Sequence, residues 1–265
     1  MKVTIVGIGG LGGALAEGLL AMPDTAEPVA LTLCARRPET AARFADRSRV
    51  MGDPRAAVAG ADVVVLAVKP RATAPLLAEL ASALAPEALV VSCAAGTTLA
   101  SLASASPGAF ALARAMPNIG AQARSSTTAL CLGARCSAGR DLPRVQRIFA
   151  AVGEVRVVDD ETWLHPITAI GASGPAFMLL AVEALVDAGV EAGLPRAEAL
   201  AWARGALVAA AARLDPALEP QALRATVTSP AGTTAAGLAR LEERAVRGAF
   251  LDAARAAAAR SRELG

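Results

Sequence analysis

The feature that most constrains this chain is the string Gly7-Ile8-Gly9-Gly10-Leu11-Gly12, set directly after the β-branched run Lys2–Val6. A G-x-G-x-x-G string on its own is weak. Here it leaves a predicted strand and opens a predicted helix, Ala14–Ala21, which is the placement a dinucleotide site needs. Gly7 permits the tight turn, Gly9 lets the backbone approach a pyrophosphate, and Gly12 lets the helix lie against the strand. The helix N-terminus then faces the phosphates. The alternative is a glycine-rich strand-to-helix turn with no ligand.

The rest of the first half continues in the same manner. Ala30–Cys34 reads as a second strand. Ala61–Val68 and Ala88–Ser92 are almost wholly apolar, the pattern of parallel strands buried on both faces. Phe110–Ala113 is a weaker case, and Thr127–Leu132 and Val155–Val158 are further candidates. Helical segments such as Thr73–Ala83 lie between them. This alternation predicts an α/β fold, a Rossmann-type doubly wound parallel sheet. Beyond residue 160 no strand-like run remains. Helices are predicted over Ala176–Glu191, Pro195–Leu214, Pro220–Val227, Thr234–Glu243 and Arg247–Glu263. The expected organisation is therefore a dinucleotide-binding domain over residues 1–159 and an all-α domain over 160–265. A length of 265 residues suits two modest domains.

The second strand decides which dinucleotide is expected. An NAD site usually places Asp or Glu about 20 residues beyond the glycines, to bind the ribose 2′-hydroxyl. This strand ends Cys34-Ala35-Arg36-Arg37, with two guanidinium groups and no acid. Guanidinium suits a 2′-phosphate, so NADP(H) is expected over NAD(H), the alternative being a solvated loop. Ligands in open parallel sheets lie beyond the carboxyl ends of the strands. Ala67-Val68-Lys69-Pro70 after the central strand, and Ala95-Gly96 after the next, are thus expected to line the cleft.

Composition removes other chemistries. The 26 Lys and Arg against 24 Asp and Glu give a net charge of +2, and no basic cluster interleaved with aromatics appears, which argues against nucleic acid. The only histidine is His165, the only lysines are Lys2 and Lys69, and tyrosine is absent, so a multi-histidine zinc site is impossible and no metal is expected. Cys34, Cys93, Cys131 and Cys136 form no C-x-x-C pair, which suits buried thiols in a reducing cytoplasm. The uncharged stretch Thr162–Val182 approaches the length of a membrane span, but Pro166, Gly171, Gly174 and Pro175 interrupt it. It reads as a buried helix with an irregular start, in a soluble cytoplasmic protein.

An ordered set of motifs resembles the pyrroline-5-carboxylate reductase family nearly end to end. The set comprises Gly7–Gly12, Val68-Lys69-Pro70, Ala95-Gly96, Arg114-Ala115-Met116-Pro117-Asn118, Thr168-Ala169, Ser173-Gly174-Pro175-Ala176, Val227–Thr234 and the tail Arg260–Leu264. The resemblance implies NAD(P)H-dependent reduction of the cyclic imine 1-pyrroline-5-carboxylate to L-proline. It also implies an obligate homodimer with interlocked helical halves, with assembly into a larger ring as an option. A protonated imine is already electrophilic, which suits a chain poor in acids and bases; the substrate still needs a carboxylate anchor.

Ser229-Pro230-Ala231-Gly232-Thr233-Thr234 sits directly before a predicted helix, where backbone N–H groups, hydroxyls and the helix dipole suit that carboxylate. Gly232 permits close approach, and Thr234 is the candidate catalytic residue, hydrogen-bonding the imine nitrogen and relaying a proton from water. Plain helix capping by Ser229, Thr233 or Thr234 is the alternative. Ser173, beside Gly174 and Pro175, reads as a wall of the substrate cleft or part of a kink packed in a dimer core.

Several positions depart from the family's pattern. Met-Pro-Asn-Thr-Pro stands here as Met-Pro-Asn-Ile-Gly over residues 116–120, and Ser-Gly-Ser-Gly-Pro-Ala-Tyr as Gly-Ala-Ser-Gly-Pro-Ala-Phe over 171–177. An acidic position falls at His165, a ribose-contacting asparagine at Pro54, and a further acid near Ala217. These leave open a different cyclic imine, or a non-catalytic NADP-binding paralogue. A β-hydroxyacid dehydrogenase would need a lysine on the long helix, and none follows Lys69. A ketol-acid reductoisomerase would need an acidic metal cluster in the helical half, which is not evident.

Overall fold

The computed structural model describes residues 1–23, 28–106, 108, 110–215 and 217–264. The chain forms two compact units, Met1–Ser173 with Ala256–Gly265, and Gly174–Arg255.

The first unit carries an eight-stranded sheet of β1 (Lys2–Val6), β2 (Ala30–Cys34), β3 (Arg49–Met51), β4 (Val63–Leu66), β5 (Leu89–Ser92), β6 (Ala111–Met116), β7 (Ser126–Leu132) and β8 (Gly153–Val157). Its spatial order is β3-β2-β1-β4-β5-β6-β7-β8. The strand order reverses between β1 and β4, so a crevice opens beyond their carboxyl ends. From β3 to β6 all neighbours are parallel. The expected parallel sheet is corrected at its far edge, where β7 runs antiparallel to β6 and β8 follows β7. Only residues 117–125 join β6 to β7, too short a path for the crossover that a parallel pair requires.

Helices α1 (Gly10–Leu20), α2 (Pro54–Val58), α3 (Pro70–Leu80), α4 (Leu99–Ala105) and α5 (Asp141–Ala150) flank the sheet. The period-two alternation of the strands divides the core into two layers. Val63, Val65, Leu89 and Val91 join Ile5, Leu15, Ile148 and Phe149 on one face. Val64, Leu66 and Val90 join Leu77, Leu80 and Leu102 on the other. Burial on both faces explains the uninterrupted valine run of β4.

After β8 the chain enters a helical stretch that begins with α6 (Leu164–Ile167), passes a π-helical turn over Thr168–Ala172, and continues as α7 (Gly174–Glu191). Leu164 is fully buried and packs with Met116, Ala129, Cys131 and Val158, which ties the start of this stretch to the sheet. The compact units accordingly divide after Ser173, and the end of the last helix also belongs with the sheet.

The second unit holds α7, α8 (Arg196–Arg213), α9 (Pro220–Thr226), α10 (Thr233–Glu243) and the first part of α11 (Val246–Glu263). Its buried cluster is small: Val182 and Val186 of α7 against Ala199 and Ala203 of α8. A Cβ on Gly189 would come within 2.9 Å of Ala199 Cβ, so small residues set how closely these helices approach. The expectation of a buried helix over Thr162–Val182 is corrected here. Ile170 and Leu180 are each 66% exposed, and Met178, Leu179 and Leu185 are also exposed. Four small core residues cannot cover helices that are apolar on more than one face. Glu161–Glu191 is long and apolar enough to cross a membrane by length and composition alone.

Candidate functional site

The carboxyl ends of β1, β2, β4 and β5 gather the residues expected to bind a dinucleotide. Gly7 ends β1 with φ +99°, a left-handed backbone that side chains rarely adopt, and its N–H donates to the Cys34 carbonyl at 2.9 Å. A Cβ there would lie 2.8 Å from the Ala67 carbonyl oxygen. One on Gly12 would lie 2.0 Å from the Gly7 carbonyl oxygen, so α1 touches the turn through bare backbone. Ile8 and Leu11 are half-buried against the core and hold the turn down.

Gly9 is different. It is the N-cap of α1, no side chain caps this terminus, no acid lies in its first turn, and a Cβ on Gly9 would meet nothing within 4 Å. Open space beside uncapped N–H groups at a helix N-terminus is a cradle for phosphate. The residues therefore fit a dinucleotide, with Gly9 and Gly10 at the approach and Gly7 and Gly12 shaping it.

Arg36 and Arg37 follow β2 and are exposed, and neither makes an ion pair among the described residues. The Arg37 carbonyl accepts from the Thr40 N–H at 3.0 Å and hydroxyl at 2.7 Å, which fixes the loop while leaving the guanidinium groups available. Ala67 continues β4 by donating to the Val6 carbonyl at 2.9 Å. Val68 is half-buried against Gly7, exposed Lys69 is the N-cap of α3, and Pro70 is its first residue. Pro suits that position, because its missing N–H would have no helical partner.

Beyond β5, Gly96 turns with φ +78° and Ala95 is half-buried. Burial pushes the Cys93 thiol up to about 12. Burial, aided by Asp53, pushes Cys34 up to about 11. Both remain protonated at neutral pH, so neither supplies a thiolate nucleophile.

In the second unit, Ser229–Gly232 form a turn in which the Gly232 N–H donates to the Ser229 carbonyl at 3.1 Å. Ala231 adopts φ +57°, and a Cβ on Gly232 would lie 2.3 Å from Ser229 Oγ. Gly232 is the N-cap of α10, and no side chain caps it. The capping alternative for Ser229, Thr233 and Thr234 is thus not realised, and the first-turn N–H groups remain open. Pro230, Thr233 and Thr234 are exposed. Ser173 closes the π-helical turn of the first unit, its N–H donating to the Thr168 carbonyl at 2.9 Å.

Sequence reasoning assigned no role to Glu161, and used Arg114 and Asn118 only as motif letters. Asn118 is fixed three ways: its N–H donates to Ser126 Oγ at 3.1 Å, its Nδ2 to the Gly171 carbonyl at 3.1 Å, and its Oδ1 accepts from the Gly120 N–H at 2.9 Å. Arg114 lies fully buried in β6 and pairs with Glu161 at 2.8 Å. A lone charge amid the apolar letters of a strand is the signal that points to it, because a buried cation must find a partner.

A glycine-shaped turn with an open helix N-terminus at the switch point of a doubly wound sheet, followed by a helical unit, is the architecture of two-part nucleotide-dependent oxidoreductases. Two family models match. One, described as NADP oxidoreductase coenzyme F420-dependent, covers residues 2–96; the other, pyrroline-5-carboxylate reductase dimerisation, covers 161–264. A pyrroline-5-carboxylate reductase of Corynebacterium melassecola is 36% identical, over 99% of this chain and 98% of its own. A solved pyrroline-5-carboxylate reductase of Coxiella burnetii is 30% identical with a TM-score of 0.87, covering 99% of this chain and 98% of its own. The pyrroline carboxylate reductase of Plasmodium falciparum, solved with NADP bound, shares the fold at a TM-score of 0.87 and 24% identity, covering 100% of this chain and 98% of its own. The chain belongs to the pyrroline-5-carboxylate reductase family.

Proposed function

We propose that this chain reduces 1-pyrroline-5-carboxylate to L-proline with NADPH, the step that completes proline synthesis. The observation that carries the reading is the open, uncapped N-terminus of α1 beside Gly9, followed after β2 by two exposed arginines, without an ion pair among the described residues, where an NAD site would carry an acid. NADPH, when bound, supplies the hydride. Gly7, Ile8, Gly9, Gly10, Leu11 and Gly12 hold the pyrophosphate, Arg36 and Arg37 the 2′-phosphate, and Ala67–Pro70 with Ala95-Gly96 the walls of the cleft. Residues 1–159 are assigned to the cofactor and 160–265 mainly to the substrate and the subunit interface, although both ends of the latter range, 160–173 and 256–265, pack with the sheet.

The turn Ser229-Pro230-Ala231-Gly232-Thr233-Thr234 binds the substrate carboxylate through the open N–H groups of α10, with the helix dipole assisting. Ser173 borders the substrate. The imine double bond accepts hydride at carbon and a proton at nitrogen, and the Thr234 hydroxyl holds that nitrogen and relays the proton from water. Orientation and electrostatics account for the protein's share, which asks no strong acid of the chain.

The exposed apolar side chains of α7 and α8, among them Leu179, Leu180, Leu200 and Trp202, support a homodimer. A ring of dimers extends the same reading, and the protein works in the cytoplasm. Purified protein supplied with NADPH and a panel of cyclic imines, followed at the NADPH absorbance, tests the activity. Preferred oxidation with 1-pyrroline-5-carboxylate is expected. Binding of NADPH with no oxidation on any imine would leave the non-catalytic paralogue instead.

A further inference from the structure

The ion pair of fully buried Arg114 with half-buried Glu161 grips both ends of the segment that leaves β5 for α4. Glu161 Oε1 accepts from Arg114 Nη1 at 2.8 Å and from the Leu99 N–H, the first of α4, at 2.7 Å. Arg114 Nη2 reaches the Ala94 carbonyl at 3.5 Å. Residues 94–99 therefore start and finish on one ion pair.

The middle of the segment is held from the other side. A Cβ on Gly96 would lie 2.5 Å from Leu264 Cβ and 2.9 Å from the Ser261 carbonyl oxygen, so the end of α11 rests directly on this turn. Ser261 is buried, and its hydroxyl meets His165 Nδ1 at 3.0 Å. Glu161 and His165 stand four residues apart at the start of one helical stretch. One end of that spacing grips the segment through the ion pair, and the other grips the helix end that covers it.

Fold stability alone gives a poor reason for this arrangement. Arg114 is 1% exposed, and its buried Nε has no hydrogen-bond partner among the described residues. Taking the guanidinium out of water roughly offsets what its ion pair with half-buried Glu161 gains, and an orphaned donor adds a penalty. An apolar side chain would suit the strand at lower cost, yet it could reach neither Glu161 nor Ala94.

We propose that Arg114 and Glu161 are positioning residues for the dinucleotide. They set the shape of residues 94–99, the wall of the cofactor cleft beyond β5, and act through that wall rather than by touching the reacting atoms. The inference rests on the assignment of the cleft to NADP(H).

The test is NADPH and NADP⁺ affinity measured by titration calorimetry on the purified full chain, with steady-state kinetics beside it. Glu161→Gln keeps an oxygen for the Leu99 N–H and removes the charge that holds Arg114. Arg114→Lys keeps the charge and cannot span Glu161 and Ala94 together. Each is expected to raise the Kd and the KM for NADPH about five- to fiftyfold, with the imine KM within about twofold of the parent, since one charge-assisted hydrogen bond is at stake. Arg114→Met removes the charge as well and should weaken NADPH more than Arg114→Lys, so partial rescue by lysine is expected. Thermal melts verify that each variant is folded. Folded Glu161→Gln and Arg114→Lys proteins with parental NADPH affinity would overturn the positioning role. Failure of the parent protein itself to bind NADPH would instead overturn the cofactor assignment beneath it.

Discussion

Alanine at Gly9 and alanine at Gly12 should damage the protein in different ways, and the difference isolates the phosphate cradle. At Gly12 the new Cβ would lie 2.0 Å from the Gly7 carbonyl oxygen, an ångström inside the 3.0 Å that real Cβ contacts do not breach. The obstacle is backbone, so helix and turn must separate, at an overpacking cost of about 1–3 kcal/mol. Melting should fall by several degrees and NADPH binding should weaken with it. At Gly9 the new Cβ meets nothing within 4 Å, and φ is −90°. The protein loses only the modest N-cap preference of glycine over alanine, about 0.5–1 kcal/mol, so melting should shift by about 1–4 °C. The methyl group does occupy the side from which a pyrophosphate must reach the N–H groups. Losing one hydrogen bond to a charged group costs about 1.5–3 kcal/mol, which raises the NADPH Kd about ten- to a hundredfold. Calorimetric titration of NADPH and thermal melts on the two variants and the parent provide the comparison. A Gly9→Ala protein with parental Kd would refute the reasoning, because a ligand that tolerates that methyl group does not lie on the N-terminus of α1.

Three further outcomes are expected. Replacing Arg36 and Arg37 together by Ala should reduce the preference for NADPH over NADH by at least about tenfold, with NADH affinity little changed, and an unaltered ratio would remove the 2′-phosphate from these side chains. Thr234→Ala should lower kcat about ten- to a thousandfold while NADPH affinity stays at the parent's, and equal loss of both would displace Thr234 from the imine nitrogen. Burial, then the positive charges of Arg114 and Arg262, hold His165 below its ordinary 6.5, against the opposing pull of Glu161. The folded state therefore binds fewer protons than the unfolded one. This costs nothing above the unfolded pKa, and stability falls as the pH drops below about 6.5 until the folded group also protonates. Urea melts at about pH 8 and about pH 5 should show a smaller acid-side loss in His165→Asn than in the parent, and equal losses would place the titration elsewhere.

Much of the nucleotide half was legible because its signals are local. The glycines of 7–12 and the valines of β4 announce a turn and a twice-buried strand whatever lies around them. The short β3 was not legible, since three residues carry no period. Nor was the reversal of β7, which follows from the brevity of 117–125 and not from the composition of either strand. Helix α3 begins at Pro70 rather than Thr73, because proline opens a helix as readily as it ends one. The helical stretch after β8 misled in the other direction. Its apolar letters promised burial, but letters alone do not say whether a helix is covered within its own chain or by another copy. At the site, the glycines and arginines were visible as motif, whereas the tie between Glu161 and residues 94–99 spans 62 positions from Leu99 and leaves no local trace.

The central claim is hydride delivery to a cyclic imine, and isotope transfer tests it most directly. NADPH deuterated on the transferring face of nicotinamide C4 would be incubated with the protein and 1-pyrroline-5-carboxylate, both C4 isotopomers being tried, and the proline analysed by mass spectrometry. The account predicts L-proline with one deuterium at the former imine carbon from one of the two isotopomers, formed one for one with oxidised cofactor. Cofactor bound but no proline formed, or proline free of label from both isotopomers, would contradict it.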